Sequence, residues 1–305
     1  MTLRLGTRGS PLALCQSRTI AAMLTERGAE VVLDVIKTTG DAWTGSLANV
    51  GGKGLFVKEL EEALLAARID FAVHSLKDMP AELPAGLALV ATPRREDTRD
   101  VLITRDGAAL DELPTATRVG TSSLRRRAQL LMQRPDLRIE PLRGNVDTRL
   151  GKLESGDIDA VILASAGLRR LGLMPPGARL LAAEEFLPAV GQGALALEAR
   201  ADDARVRAAL TALHDPESAA CVAAERAFLS AVGGDCHTPL AAHTTIRGDT
   251  LTLHALVADV EGRETLREDD TATVAQADEL GRRVAERLLA RGAGAIIARA
   301  HGRPS

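Results

Sequence analysis

The chain has 305 residues and a formal net charge of −3, enough length for two or three domains with substantial cores. Hydrophobic residues make up 46% but aromatics only 2%, with no Tyr and one Trp (Trp43), so the cores must be built from Leu, Val, Ile and Ala. Scarce stacking rings and a mildly acidic balance argue against a nucleic-acid partner. Cys15, Cys221 and Cys236 form no CxxC pair, which disfavours a disulfide framework or a metal site and points to a reducing compartment. No apolar run approaches the roughly 20 residues that span a bilayer, and the N-terminus lacks a signal-peptide core. The expectation is a soluble cytoplasmic protein with no membrane partner.

Leu3 to Thr7 reads as a strand, and Ser10 then caps a helix with Pro11 at its first position. Ala13, Ile20, Met23 and Leu24 share one face of that helix, and Gly28 stops it. A second strand runs from Glu30 to Thr38. A long Gly-rich stretch, Thr39 to Lys53, is a candidate lid. An amphipathic helix follows over 55–68, then a buried strand, Phe71 to Ser75. Polar residues 93–100 read as a hinge before a strand at 101–105. The alternation then repeats, with strands at 118–120, 137–142 and 160–164 and helices at 123–132, 146–153 and 167–171. This pattern indicates an α/β fold in two lobes. A strand at 194–199 is expected to return to the first lobe. A helix over 217–231, a hairpin turning at Gly248-Asp249 and a closing helix over 274–291 make a smaller α+β domain. The expected boundaries are 1–94 with 190–212 for the first lobe, 98–188 for the second and 217–305 for the C-terminal domain.

Ligands of α/β folds bind at the carboxyl ends of strands. Polar sets fall there repeatedly: Thr7-Arg8-Gly9-Ser10, His74 to Asp78, Thr121-Ser122-Ser123, and Arg143-Gly144-Asn145 with Arg149 beyond. Eight arginines lie between Arg118 and Arg149 against three acids, Asp136, Glu140 and Asp147, and no lysine. Arg125, Arg126 and Arg127 occupy the first turn of a helix, where cations oppose the helix dipole. Either an anion completes the site or the arginines form a solvated basic face. Asp78 stands out as a carboxylate among these cations, as a general acid or as an ion-pair partner. Cys236 sits in a Gly-rich turn, unlike a packed core cysteine, as a reactive or a merely exposed thiol. His237 beside it would point to the opposite face of an extended chain, which disfavours a Cys-His pair. Gly51-Gly52-Lys53-Gly54 lacks the spacing of a phosphate-binding loop.

TRGSPLAL at 7–14, GGKGLFVKELE at 51–61, AVHSLKDMP at 72–80, VGTSSLRRR at 119–127, LRGNVDTRL at 142–150, LPAVGQGAL at 187–195 and GGDCHTPL at 233–240 together resemble the porphobilinogen deaminase (hydroxymethylbilane synthase) family. The resemblance implies two lobes like those of type II periplasmic binding proteins plus a smaller α+β C-terminal domain. It implies a transferase of tetrapyrrole biosynthesis that joins four porphobilinogens with loss of ammonia and then releases the linear tetrapyrrole by hydrolysis. It also implies a dipyrromethane cofactor attached covalently to Cys236, and a monomer.

By match, Lys77, Asp78, Thr121, Ser123, Arg125, Arg126, Gly144 and Arg149 hold the cofactor. Arg8, Ser10, Arg143, Arg149, Arg170 and Gln192 meet the incoming substrate. Lys53 and Phe56 belong to the lid, and Asp78 is the catalytic acid. Each porphobilinogen ring carries two carboxylates, which accounts for the arginines. The cation formed when ammonia leaves accounts for Asp78. Two departures stand out: Asp235 directly precedes Cys236, which should raise its thiol pKa slightly, and Asp147 lies inside the arginine segment. The rival reading is a bilobal module that binds an anionic solute without catalysis; it needs neither Cys236 nor Asp78.

Overall fold

A computed structural model describes residues 1–38, 57–235, 238–300 and 302. It divides into two compact units, Met1–Glu96 with Ala194–Ala219, and Asp97–Gly193 with Ala220–Ser305.

The first unit holds strands β1 (Thr2–Thr7), β2 (Glu30–Val35), β3 (Phe71–Ser75), β4 (Leu87–Ala91) and β10 (Leu195–Arg200), in the order β2-β1-β3-β10-β4. β1 runs parallel to β2 and β3, while β10 is antiparallel to both of its neighbours. The inner strands are covered on both faces, so they read as apolar runs. Leu3, Leu5, Phe71, Val73 and Leu197 pack with Ile20 and Leu24 of helix α1 (Pro11–Thr25). The Ser10 hydroxyl accepts the Ala13 N–H at 3.3 Å, and Pro11 opens the helix. Helix α2 (Lys58–Leu65) covers the other face through Leu60 and Leu64. The expected start of this helix at residues 55–56 lies outside the described residues.

The second unit contains β5 (Asp100–Thr104), β6 (Arg118–Gly120), α3 (Leu124–Gln133), β7 (Arg138–Glu140), α4 (Val146–Glu154), β8 (Ala160–Ala164), α5 (Ser165–Leu171) and β9 (Arg179–Leu180). Its sheet order is β7-β6-β8-β5-β9, with β6 parallel to β7 and β8, and β5 antiparallel to β8 and β9. Both sheets share one plan: three parallel strands from one edge, then one antiparallel strand inserted before the other edge. This is the type II binding-lobe topology. In the first sheet the inserted strand arrives last in the chain, and in the second it arrives first.

Arg118 fastens β6 to the start of β8. Its Nε and Nη2 meet the two oxygens of Asp159 at 3.0 and 2.9 Å, and its remaining N–H groups reach the Gly156 and Asp157 carbonyls. The Arg118 side chain, helped by its backbone N–H, holds the Asp159 carboxyl at about 2.

After helix α6 (Ala204–Thr211), helix α7 (Pro216–Val232) leads to a three-stranded antiparallel sheet, β11 (Leu240–Arg247), β12 (Thr250–Ala258) and β13 (Thr265–Thr273), followed by helices α8 (Ala277–Ala290) and α9 (Ala293–Ala300). Gly248 takes a positive φ at the expected hairpin turn, and the flanking strands pair from Leu240 to Val257. β13 was not readable from periodicity, because charge replaces apolar residues on its covered face. Glu268 and Asp270 there bind Arg283, Arg287 and Arg291 of and just beyond α8. The closing helix is also shorter than expected, since Val274–Gln276 forms a 3-10 turn. The turn between β12 and β13 seats on α3. Arg127 Nη2 binds Glu261 Oε1 at 2.6 Å, and a Cβ at Gly262 would strike the Ala128 and Met132 backbone.

Two outcomes follow from this packing. A Cβ at Gly281 would meet the backbone of Ala224 and Phe228, so α7 and α8 touch through glycine. Gly281→Ala should therefore cost about 1–3 kcal/mol by overpacking, read as a lowered urea midpoint at constant m-value. The depressed Asp159 pKa means its stabilising contribution is present above the unfolded value near 3.9 and is lost as pH falls towards 2. Arg118→Gln keeps the backbone donor, so the Asp159 midpoint, followed by carboxyl NMR, should rise part of the way towards the ordinary value.

Candidate active site

In the first unit, β1 and β3 are parallel neighbours with Leu5 opposite Phe71. The segments that carry Arg8 and Ser10, and Lys77 and Asp78, therefore leave at the same end of the sheet. Gln16 Nε2 donates to Ser75 Oγ at 2.9 Å and laces α1 to the end of β3. The Leu76 N–H binds the Ala194 carbonyl at 3.0 Å and sets the start of a 3-10 turn, Leu76–Asp78. That turn leaves the Asp78 carboxylate exposed and Lys77 half-buried. On β3, His74 Nε2 lies 3.0 Å from Glu198 Oε2, both buried. Burial pushes the nearby Glu61 carboxyl up, and the charge of Glu198 adds to this. Lys53 and Phe56 lie outside the described residues.

In the second unit, the carboxyl ends of β6, β7 and β8 form a comparable edge. The Thr121 N–H binds the Glu140 carbonyl at 2.9 Å, and Ser122 Oγ donates to the Leu142 carbonyl at 3.0 Å. These bonds hold the loops after β6 and β7 side by side. Ser123 caps α3, its hydroxyl accepting the Arg126 N–H. Gly144 and Arg143 are exposed, and Arg149 Nε donates to the Gly144 carbonyl at 2.9 Å. Arg170 Nη2 donates to the Gly193 carbonyl at 2.7 Å, linking α5 to the segment that carries Gln192.

Arg125 and Arg126 do not form a solvated face. They are 5% and 6% exposed, and both bind Asp100, which is 0% exposed. Asp100 Oδ2 accepts from Arg125 Nη1 at 2.7 Å; Oδ1 accepts from Arg126 Nη2 at 2.7 Å and Nε at 3.2 Å. Gln192 Nε2, itself fully buried, adds a bond to Oδ1 at 3.0 Å. Burial alone would push the Asp100 carboxyl up, but the two guanidiniums outweigh it and hold the group below the ordinary range. Breaking such a set by removing one member costs about 3–5 kcal/mol, because the others stay buried and uncompensated. Two cations share one carboxylate, so a positive charge is left over. Burial, and then the adjoining Arg126, disfavour the charged form of Arg125 against the pull of Asp100. Arg125 Nε is buried and has no hydrogen-bond partner among the described residues.

In the sequence Asp100 is only the end of a polar hinge. An acid opening an otherwise apolar strand, Asp100-Val101-Leu102-Ile103, was the available signal. Glu225 was missed as well. It falls within the apolar stripe of α7, four residues after Cys221 and three before Phe228, and is fully buried. Its carboxylate accepts the Gly191 N–H at 2.7 Å and the Thr244 N–H at 2.9 Å.

Cys236 lies outside the described residues. Of the residues that flank it in the sequence, Thr238 Oγ1 donates to Asp235 Oδ1 and accepts the Asp235 N–H, both at 3.0 Å. Cys221 is buried in α7, and Cys15 is half-buried in α1.

Residues 3–208 match the family model described as porphobilinogen deaminase, dipyromethane cofactor binding domain, and residues 219–290 match its C-terminal domain. The porphobilinogen deaminase of Syntrophotalea carbinolica is 52% identical over 97% of this chain and 95% of its own length. That of Syntrophobacter fumaroxidans is 49% identical over 97% and 96%. Among solved structures, the methionine binding protein MetQ is similar at 14% identity, covering 70% of this chain and 89% of its own, with a TM-score of 0.44. With both family domains matched and about half of all positions shared along nearly the whole length, the chain belongs to the porphobilinogen deaminase family.

Proposed function

We propose that this chain is a hydroxymethylbilane synthase, a transferase that joins four porphobilinogens head to tail with release of ammonia and frees the linear tetrapyrrole by hydrolysis. The observation that carries the reading is the buried Arg125–Arg126 pair with a single internal carboxylate and an Arg125 N–H that has no partner among the described residues. A buried surplus cation with an orphaned donor calls for an anion, and the acetate and propionate groups of a pyrrole unit are such anions. The donor set thus fits a dipyrromethane, which supplies the open pyrrole position on which the product grows. Cys236 holds it covalently. Lys77, Thr121, Ser123, Arg125, Arg126, Gly144 and Arg149 bind its carboxylates or ring nitrogens together with Asp78.

Arg8, Ser10, Arg143, Arg149 and Arg170 receive the carboxylates of the incoming porphobilinogen. Ser10 Oγ accepts a cap bond, and its O–H proton remains to be donated. Gln192 works from behind these groups, because its amide nitrogen is committed to the Thr98 carbonyl and Asp100. Lys53 and Phe56 cover the site. Asp78 donates the proton that leaves with ammonia, and its carboxylate then faces the positive charge that remains on the substrate. The reading includes a cytoplasmic monomer without a nucleic-acid partner; among the described residues no helix is long and apolar enough to cross a membrane.

The intact mass of the denatured protein tests the reading. The wild-type chain should carry the added mass of two linked pyrrole units, and Cys236→Ala should carry none. Bare wild-type protein that stays bare after incubation with porphobilinogen, and leaves that compound unconsumed, would instead favour a solute-binding module. Asp78→Asn should keep its melting temperature while turnover falls by about 10²–10⁴-fold. Wild-type turnover in that variant would remove Asp78 from its role.

A further inference from the structure

The two guanidiniums bound to Asp100 are not equivalent. Arg126 spends its side fork, Nε with Nη2, on Asp100 Oδ1, and gives Nη1 to the Ile162 carbonyl at 2.9 Å. Arg125 uses only Nη1, which meets Asp100 Oδ2 and the Leu187 carbonyl, both at 2.7 Å. Its own side fork stays open: Nε is buried without a partner, and Nη2 makes no hydrogen bond among the described residues. An open side fork on a fixed guanidinium is the shape that accepts a carboxylate through two parallel bonds.

The anchoring of this arrangement is non-local on every side. Asp100 opens β5 and Arg126 starts α3. Leu187, whose carbonyl also accepts from Gln129 Nε2 at 2.9 Å, precedes the segment that carries Gln192. The Leu187 N–H returns to Gln129 Oε1 at 2.7 Å, so the acceptor for Arg125 is itself held from both sides.

We propose that Asp100 is a positioning residue for the bound dipyrromethane: it sets Arg126 as a fixed base and turns the open fork of Arg125 towards a cofactor carboxylate before the cofactor arrives. The proposal rests on the functional reading above and adds the division of labour within the arginine pair. An arginine side chain has four rotatable bonds and loses much freedom on being ordered. Ordering it during folding removes that cost from the loading step.

The test uses full-length Asp100→Asn, an isosteric change that keeps an oxygen acceptor and removes the charge. Loading is followed by intact mass after addition of porphobilinogen to unloaded protein, beside a thermal melt. Asp100→Asn should melt cooperatively but load about 10–100-fold more slowly than the wild type, as expected when a binding group is misplaced by about an ångström. Asp100→Glu, which restores the charge, should recover part of that rate. Wild-type loading by Asp100→Asn overturns the proposal, whereas failure of the wild-type chain to load overturns the functional reading instead.

Should Asp100→Asn not fold, the guanidinium Nε–H signals decide, in 15N spectra of Cys236→Ala and of loaded wild-type protein. The Arg126 signal, held by Asp100 before loading, should be sharp in both, and the Arg125 signal should shift only in the loaded form. An Arg126 signal that sharpens only on loading, or an Arg125 signal that does not move, overturns the proposal.

Discussion

A single carboxylate buried between two guanidiniums ties the second unit together. Asp100 reaches from the first residue of β5 to the first turn of α3 and to Gln192, so one side chain joins a strand, a helix and a loop. The set cannot be traded for apolar residues without losing its charge. Two cations and one anion leave a buried surplus that water does not screen, and this surplus is available to a ligand. The dipole of α3 acts in the same sense, because the arginines sit at its positive end. Stability alone would not favour this arrangement, which is tolerable because Asp100 supplies half of the compensation from within.

The rest of the second unit keeps that set in place. Arg127, next in sequence, turns away from the pair and binds Glu261 and the Val260 carbonyl in the C-terminal domain. Glu225 binds the loop that carries Gln192 to β11 through two backbone N–H groups. The C-terminal domain therefore grips both the arginine helix and the loop behind it. The domain that carries Cys236 thus also braces the residues proposed to receive the attached group.

Legibility differed by the range of the interaction. Ser10 and Ser123 are both observed caps, and both were readable because a cap is settled within three residues. The strands at 118–120 and 160–164 have the expected bounds, and the hairpin turns at Gly248 as expected. β13 was hidden because Glu268 and Asp270 face a basic helix where alternation would have placed apolar residues. The arginine cluster was visible, but its partners were not. Arg125 and Asp100 are 25 residues apart, and Arg127 and Glu261 are 134 residues apart. A count of charges within the window treats all eight arginines alike.

The alternating elements, the polar residues at strand ends and the motifs that mark the family are all legible in the amino-acid order alone. These depend on local backbone preference, on hydrophobic period and on direct matches of short segments. Only the tertiary structure decided which arginines are spent and which retain a donor. Arg118 is matched to Asp159, Arg126 is taken up by Asp100 and Ile162, and Arg125 keeps an open fork. The reason is that neutralisation of a buried charge depends on strand order and on distance through a low-dielectric interior, and neither is written in the neighbourhood of the residue.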